Sequence, residues 1–230
     1  YEEGQTILSH ISFDVRPGES IALVGPTGAG KTTAVSLISR FYNLTGGRIL
    51  LDGTHDIAKV TLHSLRTQTG VMMQDSFIFS GTVMDNIRFG RLDATDEEVQ
   101  EAARAACADG FIRRMKRGYY TLVSERGGGL SQGQKQLIAL ARTLLSDPRV
   151  LILDEATSSI DTQTEQLLQK GIRTLLRGRT SFIIAHRLST IRHCDRIFYV
   201  GEQSILEAGT HEELMAKRGR YYELYTAQME

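Results

Sequence analysis

The chain has 230 residues, with 27 basic and 27 acidic side chains and two cysteines. This length suits one large domain with a subsidiary lobe, and the balanced charge does not indicate binding to nucleic acid or an anionic membrane surface. Two cysteines make no disulfide framework, and the sequence holds no apolar run of about 20 residues that could span a bilayer. The first residue, Tyr1 instead of Met, indicates a segment cut from a longer protein.

The N-terminal part alternates between short apolar runs and turns. The runs 11–15 and 20–24, separated by a Pro-Gly turn, predict two strands. A helix is expected over about 30–41, since its apolar residues recur at helical spacing. The runs 48–51 and 70–73 predict further strands.

Helix signals dominate from about residue 82 to residue 147. Thr95 with the acidic residues after it predicts a capped helix that continues through an alanine-rich segment to Ala108. A shorter, basic helix is expected over 110–117. The last helix is predicted over about 132–146, with its leucines on one stripe. This block is typical of a helical subdomain inserted in an α/β core.

The α/β pattern returns after the helical block. The fully apolar run 150–153 is typical of a strand buried in a parallel sheet. The remaining predicted elements are a helix at 164–176, a strand at 181–185, a hairpin of 196–200 and 204–207 around Gly201, and a C-terminal helix that begins with a Thr210–Glu213 capping box.

The run Gly25-Pro26-Thr27-Gly28-Ala29-Gly30-Lys31-Thr32 matches G-x-x-x-x-G-K-[ST] and lies between a predicted strand and a predicted helix. The glycines let several backbone N–H groups point at one centre, and the following helix adds its positive N-terminal end. Lys31 supplies a cation for the β- and γ-phosphates, and Thr32 supplies an oxygen for Mg²⁺. The run therefore predicts binding of nucleotide phosphates.

Two carboxylates, Asp154 and Glu155, follow the apolar run 150–153. Acidic side chains at the end of a buried strand are costly unless a cation neutralises them. Mg²⁺ held beside Thr32 would do so, with Asp154 acting directly or through water. Glu155 is then left to orient or deprotonate an attacking water.

The pentapeptide Leu130-Ser131-Gln132-Gly133-Gln134 lies between the phosphate loop and the acidic strand end. With the three motifs in this order, the whole chain resembles the nucleotide-binding domain of ABC transporters. The usual form of this signature in the family is Leu-Ser-Gly-Gly-Gln, so Gln132 replaces a glycine. We expect this change to be tolerated, because Ser131, Gly133 and Gln134 are retained.

The resemblance implies an α/β fold: a P-loop, RecA-like ATPase core with a mostly parallel sheet, an antiparallel β subdomain and an inserted α-helical subdomain. It places the core and β subdomain in residues 1–81 and 148–230. The helical subdomain, which carries the signature, is expected over 82–147.

The resemblance also assigns roles to residues that no pattern would single out. It implies that Tyr1 stacks on adenine, that Gln74 reaches Mg²⁺ and water, and that His186 contacts the γ-phosphate. Asp161 closes a loop that crosses to a partner, although Ser159 and Ile160 replace the usual Ala-Leu.

The implied site binds ATP and Mg²⁺. Nucleotide contacts are expected from Tyr1, Gly25, Thr27, Gly28, Ala29, Gly30, Lys31, Thr32 and Thr33, Mg²⁺ contacts from Thr32, Gln74 and Asp154, and catalysis from Glu155, His186 and Gln74. The resemblance implies that two such domains meet head to tail, so that residues 130–134 of one complete the site of the other. The partner is a second copy or a different subunit.

Three segments, Phe77–Val83, Thr121–Gly127 and Tyr221–Leu224, are similar to exporter sequences within the family. They imply an ATPase that powers a membrane domain upstream in the same chain, on the cytoplasmic face of a bacterial inner membrane. One alternative is a soluble ABC ATPase of the translation or DNA-maintenance type. The latter is disfavoured because the 97 residues between Thr32 and Leu130 show no sustained heptads. A second alternative, a non-hydrolysing regulatory module, is disfavoured by the presence of Glu155 and His186.

Overall fold

The computed structural model describes residues 6–73, 77–154, 160–185 and 188–227, with the side chains of Leu188 and Ser189 left out. The strands in this part are β1 (Ser20–Val24), β2 (Leu50–Leu51), β3 (His55–Asp56), β4 (Thr69–Met72), β5 (Gly81–Thr82), β6 (Leu122–Val123), β7 (Val150–Asp154), β8 (Thr180–Ile184), β9 (Arg196–Gly201) and β10 (Ser204–Gly209). The α-helices are α1 (Lys31–Ile38), α2 (Leu62–Gln68), α3 (Val83–Arg88), α4 (Asp96–Ala105), α5 (Asp109–Arg114), α6 (Gln132–Ser146), α7 (Thr162–Leu176), α8 (Leu188–Arg192), α9 (His211–Lys217) and α10 (Arg220–Ala227). Across these ranges, every helix is too short or too polar to cross a bilayer.

A six-stranded sheet has the strand order β10-β9-β1-β8-β7-β4. Strand β1 pairs in parallel with β8 and with β9, and Ile21 stands opposite Phe182 on one side and Arg196 on the other. Its four residues from Ile21 to Val24 are buried, as expected for a strand covered on both faces. Strand β10 pairs antiparallel with β9. The predicted α/β fold with a mostly parallel sheet is confirmed.

The chain divides into two compact units. The first comprises Tyr1–Thr69, Ile152–Glu155 and Thr180–Glu230, and the second comprises Gly70–Leu151 and Ala156–Arg179. The first unit therefore holds the phosphate loop, and the second holds the signature pentapeptide.

The predicted strand at 11–15 is wrong, since this segment of the first unit has no strand. The ring of Phe13 lies 6.3 Å from that of Phe182 on β8 and 5.1 Å from that of Phe198 on β9. Because β8 and β9 flank β1, the Phe13 side chain covers the face of the sheet. In this segment, Phe13 thus packs on the sheet although the backbone forms no strand.

A small antiparallel ladder in the first unit replaces the longer strand predicted at 48–51. It joins β2 to β3, with Leu50 opposite Asp56 and Leu51 opposite His55. The Arg40 side chain fixes the chain beyond β3 by donating to the carbonyl oxygens of Ile57 (3.0 Å) and Val60 (2.8 Å). The hairpin predicted around Gly201 is confirmed by the β9–β10 pairing.

In the second unit, helix α6 has the predicted bounds. Its stripe of Leu137, Ile138, Leu140 and Ala141 is buried. Glycine lets α7 approach this stripe closely: a Cβ added to Gly171 would lie 2.4 Å from the Leu140 side chain and 2.9 Å from the carbonyl oxygen of Ala106. The contact with a backbone oxygen cannot be relieved by turning a side chain.

We expect Gly171→Ala to destabilise the chain by about 1–3 kcal/mol through overpacking. Gly110→Ala is the matched control, because a Cβ at this helical glycine meets nothing within 4 Å. The control should be neutral or stabilising by up to about 1 kcal/mol, since alanine has the higher helix propensity. Urea unfolding midpoints measure both, and equal effects of the two substitutions would contradict the packing described.

Candidate functional site: the phosphate loop and the signature helix

The phosphate loop begins where β1 ends and closes at the first residue of α1. Gly25 lies so close to β9 that an added Cβ would stand 2.1 Å from the carbonyl oxygen of Val200. Gly28 has a φ of 80° and meets nothing within 4 Å. The loop is therefore fixed on the sheet at Gly25, and its backbone at Gly28 is open to a ligand.

Lys31, the first residue of α1, is buried although it is charged. Its Nζ donates to the carbonyl oxygens of Gly25 and Pro26, at 2.8 Å each. Burial lowers the pKa of Lys31, and the negative charge of Asp154 opposes that shift. The loop is thus curled around a partly desolvated cation, an arrangement suited to phosphate oxygens.

Asp154 is the last residue of β7 and is half-buried, while Thr32 is exposed in the first turn of α1. A carboxylate and a hydroxyl are oxygen donors of the kind that Mg²⁺ prefers. The negative charge of Asp154 favours the charged form of Lys31, which belongs to the same unit. The donor chemistry of these two residues therefore fits Mg²⁺.

Four predicted site residues, Tyr1, Gln74, Glu155 and His186, lie outside the described residues. Their roles remain predictions. The described site residues fall into two groups. Lys31, Thr32 and Asp154 belong to the first unit with the rest of the phosphate loop, and residues 130–134 belong to the second unit with Asp161.

The signature pentapeptide forms the start of α6. Ser131 is the N-cap: its Oγ accepts from the Gln134 N–H (3.2 Å), and the Gln134 Oε1 accepts from the Ser131 N–H (3.0 Å). This capping box satisfies two N–H groups reciprocally. Leu130 and Gly133 are buried, while Gln132 is half-buried at the first helical position. The side chains of Ser131 and Gln134 thus fix where the helix begins.

Asp161 begins α7 in a similar way. Its carboxylate accepts from the Thr164 N–H at 3.0 Å, and hydrogen bonds from Thr164 hold the pKa of this exposed carboxyl below its usual value. The second unit therefore presents two well-capped helix starts, and each belongs to a segment that was assigned to a partner contact.

Sequence reasoning missed Arg142, which lies on α6 about two turns beyond the signature. Its guanidinium donates to the carbonyl oxygen of Asn86 (Nε, 2.8 Å), to Asn86 Oδ1 (Nη2, 3.1 Å) and to the carbonyl oxygen of Phe77 (Nη1, 3.0 Å). It also lies over the ring of Phe79, with 5.3 Å from Cζ to the ring centroid. Burial lowers the pKa of Arg142. In the sequence, this residue is only a polar break in an apolar stripe.

Asn86 extends this network to Phe79 and Thr82. It is fully buried, accepts from the Phe79 N–H (2.9 Å), and donates to the carbonyl oxygens of Phe79 (2.9 Å) and Thr82 (3.0 Å). Arg142 and Asn86 together therefore tie the signature helix to residues 77–79.

Two of the exporter-like segments lie side by side in the second unit. Strand β5 pairs with β6, the Val83 N–H donates to the carbonyl oxygen of Thr121 (3.1 Å), and the Arg126 N–H donates to that of Ile78 (3.0 Å). Next to them, the rings of Phe79 and Phe89 stack at 4.3 Å, and Phe77 meets Phe79 edge-on at 4.9 Å. Phe77, Phe89 and Leu122 are exposed by 47%, 52% and 68%. Phe77 and Phe89, which both contact the ring of Phe79, form an exposed apolar surface.

Comparison with known proteins identifies relatives of this chain. The profile of a family described as ABC transporter matches residues 8–158. The chain is 53% identical over 230 residues to the uncharacterized ABC transporter ATP-binding protein YfiC of Bacillus subtilis, covering all of this chain and 38% of the relative. It is 52% identical over 227 residues to a fatty acid ABC transporter ATP-binding/permease protein of Mycobacterium tuberculosis, covering 99% of this chain and 36% of the relative.

A further relative and a solved structure agree with these matches. The chain is 49% identical over 222 residues to an ATP-dependent lipid A-core flippase of Syntrophus aciditrophicus, covering 96% of this chain and 37% of the relative. A bacterial Atm1-family ABC exporter with ATP bound matches the structure with a TM-score of 0.92 and 45% identity, covering 99% of this chain and 40% of the exporter. The resemblance inferred from the motifs is confirmed, and the chain spans well under half of the length of these relatives.

We expect Arg142→Lys to loosen the segment 77–79, because a lysine ammonium cannot reproduce the planar fork that reaches Phe77 and Asn86. Loss of these charged hydrogen bonds should destabilise the chain by about 1–3 kcal/mol. Hydrogen exchange of the Phe79 amide, which donates to Asn86, should become faster. Arg173→Lys, an exposed position on α7, is the matched control and should change neither measurement. Unchanged exchange in Arg142→Lys would contradict the network.

Proposed function

The chain belongs to the ABC transporter family, and on that premise we propose that it binds and hydrolyses Mg-ATP in a head-to-tail dimer that powers export through a membrane domain. The observation that carries this proposal is the burial of Lys31 inside a loop of glycines and backbone carbonyls. An ammonium in this position, at the start of a helix, is suited to a polyphosphate more than to any neutral ligand.

The first unit supplies the phosphate and metal contacts. Phosphate oxygens would replace the carbonyls of Gly25 and Pro26 as acceptors for Lys31, and they would also receive N–H groups from the loop and the start of α1. Thr32 and Asp154, together with Gln74, would hold Mg²⁺. With Mg²⁺ held there, the site would supply positive charge that offsets the charge on the transferring phosphoryl group. Tyr1 would stack on the adenine ring.

Water activation is assigned to residues that follow two strands of the sheet. Glu155 directly follows β7 and would take the proton of the attacking water. His186 follows β8 by two positions and would donate to the γ-phosphate. Phosphoryl transfer to water depends mainly on in-line positioning and charge stabilisation, so these roles need exact placement more than covalent chemistry.

The second unit completes the site of the partner. The hydroxyl of Ser131 accepts one hydrogen bond in its capping box, so its own proton remains available as a donor. Ser131, with the N–H of Gly133 at the helix start, would donate to the γ-phosphate bound by the other protomer. Hydrolysis removes this bridging group and loosens the dimer. The resulting two-state closure would drive the membrane domain.

The membrane domain would dock on the second unit, on the apolar surface made by Phe77 and Phe89 around Phe79. We place the helical subdomain at 82–147 and the membrane domain in the part of the longer protein that this chain does not cover. This arrangement puts the chain on the cytoplasmic face of a bacterial inner membrane. The relatives named for fatty acid and lipid A-core point to an amphipathic or lipid cargo.

Glu155→Gln tests the assignment of the base. We expect the variant to bind Mg-ATP, to accumulate as a dimer, and to hydrolyse ATP about 10²- to 10⁴-fold more slowly, since a general base contributes this much. Phosphate release and ATP-dependent size-exclusion chromatography measure the two effects. Glu97→Gln makes the same charge change at an exposed position of α4 and should behave as wild type. Near wild-type turnover by Glu155→Gln would show that another group is the base.

A further inference from the structure

Helices α6 and α7 run side by side in the same direction. Two contacts establish the direction: Gly133 of α6 faces Thr164 of α7, and Leu140 of α6 faces Gly171 of α7. Seven residues, about two helical turns, separate the contact positions on each helix. Because the second contact lies further along both helices, the starts of α6 and α7 are neighbours.

Gly133 has no room for a side chain at the first of these contacts. An added Cβ would lie 2.3 Å from Thr164 Cγ2, 3.0 Å from Ile160 Cγ2 and 3.2 Å from Thr164 Cβ. Thr164 is β-branched and lies in the first turn of a helix, where its χ1 has few alternatives. The methyl group therefore cannot move aside cheaply, and a substitution would separate the helix starts.

Because each helix start is capped, the close approach of the two helices also fixes the spacing between the capping residues Ser131 and Asp161. Ser131 caps α6 two residues before Gly133, and Asp161 caps α7 three residues before Thr164. Both caps are held by hydrogen bonds to the same first turns that meet at Gly133 and Thr164. A shift of either helix start would carry its cap along.

We propose that Gly133 is a positioning residue, whose missing side chain seats the start of α6 on the start of α7 and so sets Ser131 and Asp161 at one spacing for a shared partner site. This inference rests on the proposed function, in which Ser131 meets the partner, and on the family resemblance, which implies that the loop closed by Asp161 crosses to the partner. It gives Gly133 a role within its own protomer, besides any contact with nucleotide. It also explains why position 133 is a glycine while the neighbouring position 132, which is half-buried, accommodates the long side chain of Gln132.

A rescue experiment separates this role from direct contact with nucleotide. Gly133→Ala should lower ATP turnover by about 10- to 100-fold, because small misplacement of a reacting contact is that costly. ATP affinity of the protomer, measured at low protein concentration, should stay unchanged. Thr164→Ser removes the obstructing methyl and keeps the hydroxyl, and alone it should change turnover by less than about twofold.

The double variant Gly133→Ala with Thr164→Ser should hydrolyse ATP at least about fivefold faster than Gly133→Ala alone, since contacting residues are energetically coupled. Thr174→Ser removes the same methyl further along α7 and should rescue nothing. Hydrogen exchange of the Gln134 amide, which Ser131 caps, should rise in Gly133→Ala and fall again in the rescued variant.

Two results would overturn the proposal: wild-type turnover in Gly133→Ala, or equal loss with and without Thr164→Ser. A wild-type chain that hydrolyses no ATP would instead refute the proposed function. In that case, the exchange of the Gln134 amide still decides whether Gly133 seats the two helices.

Discussion

The buried ammonium of Lys31 is the constraint that shapes the phosphate loop and the ends of the strands beside it. A cation removed from water must be surrounded by acceptors, and here the carbonyls of Gly25 and Pro26 supply them. The loop can curl this way only because Gly25 lies against β9 without a side chain. Asp154, at the end of β7, adds the opposing charge. Strand, loop and helix are thus arranged around one charge, which in the proposed function would bind phosphate.

Helix α6 has the corresponding role in the second unit. Its first turn carries the signature under a Ser131–Gln134 capping box, its middle packs on α7, and Arg142 further along holds the segment 77–79. One rigid element therefore connects a proposed partner contact with the apolar surface proposed for the membrane domain. A helix that is capped and tightly packed in this way is suited to transmit the proposed closing motion as one body.

Several helices and their caps could be predicted from the local sequence. The bounds of α6 and the Thr210–Glu213 capping box follow from helical periodicity and cap preferences. The run 11–15 was predicted wrongly because alternation reports an apolar face and not the hydrogen-bond partner of the backbone. The contacts of Arg142 and Gly133 span 56 and 31 residues, and such distant packing leaves no local pattern in one sequence.

The central claim is that the signature of one protomer completes the phosphate loop of another, and mixing two inactive variants tests it. Lys31→Ala lacks a working phosphate loop, and Ser131→Arg lacks a working signature. A mixed dimer in the head-to-tail arrangement has one intact site, so an equal mixture should recover about a quarter of wild-type ATP turnover at random pairing. If the signature served the phosphate loop of its own protomer, no mixed dimer would hold an intact site. A mixture as inactive as its components would therefore contradict the account.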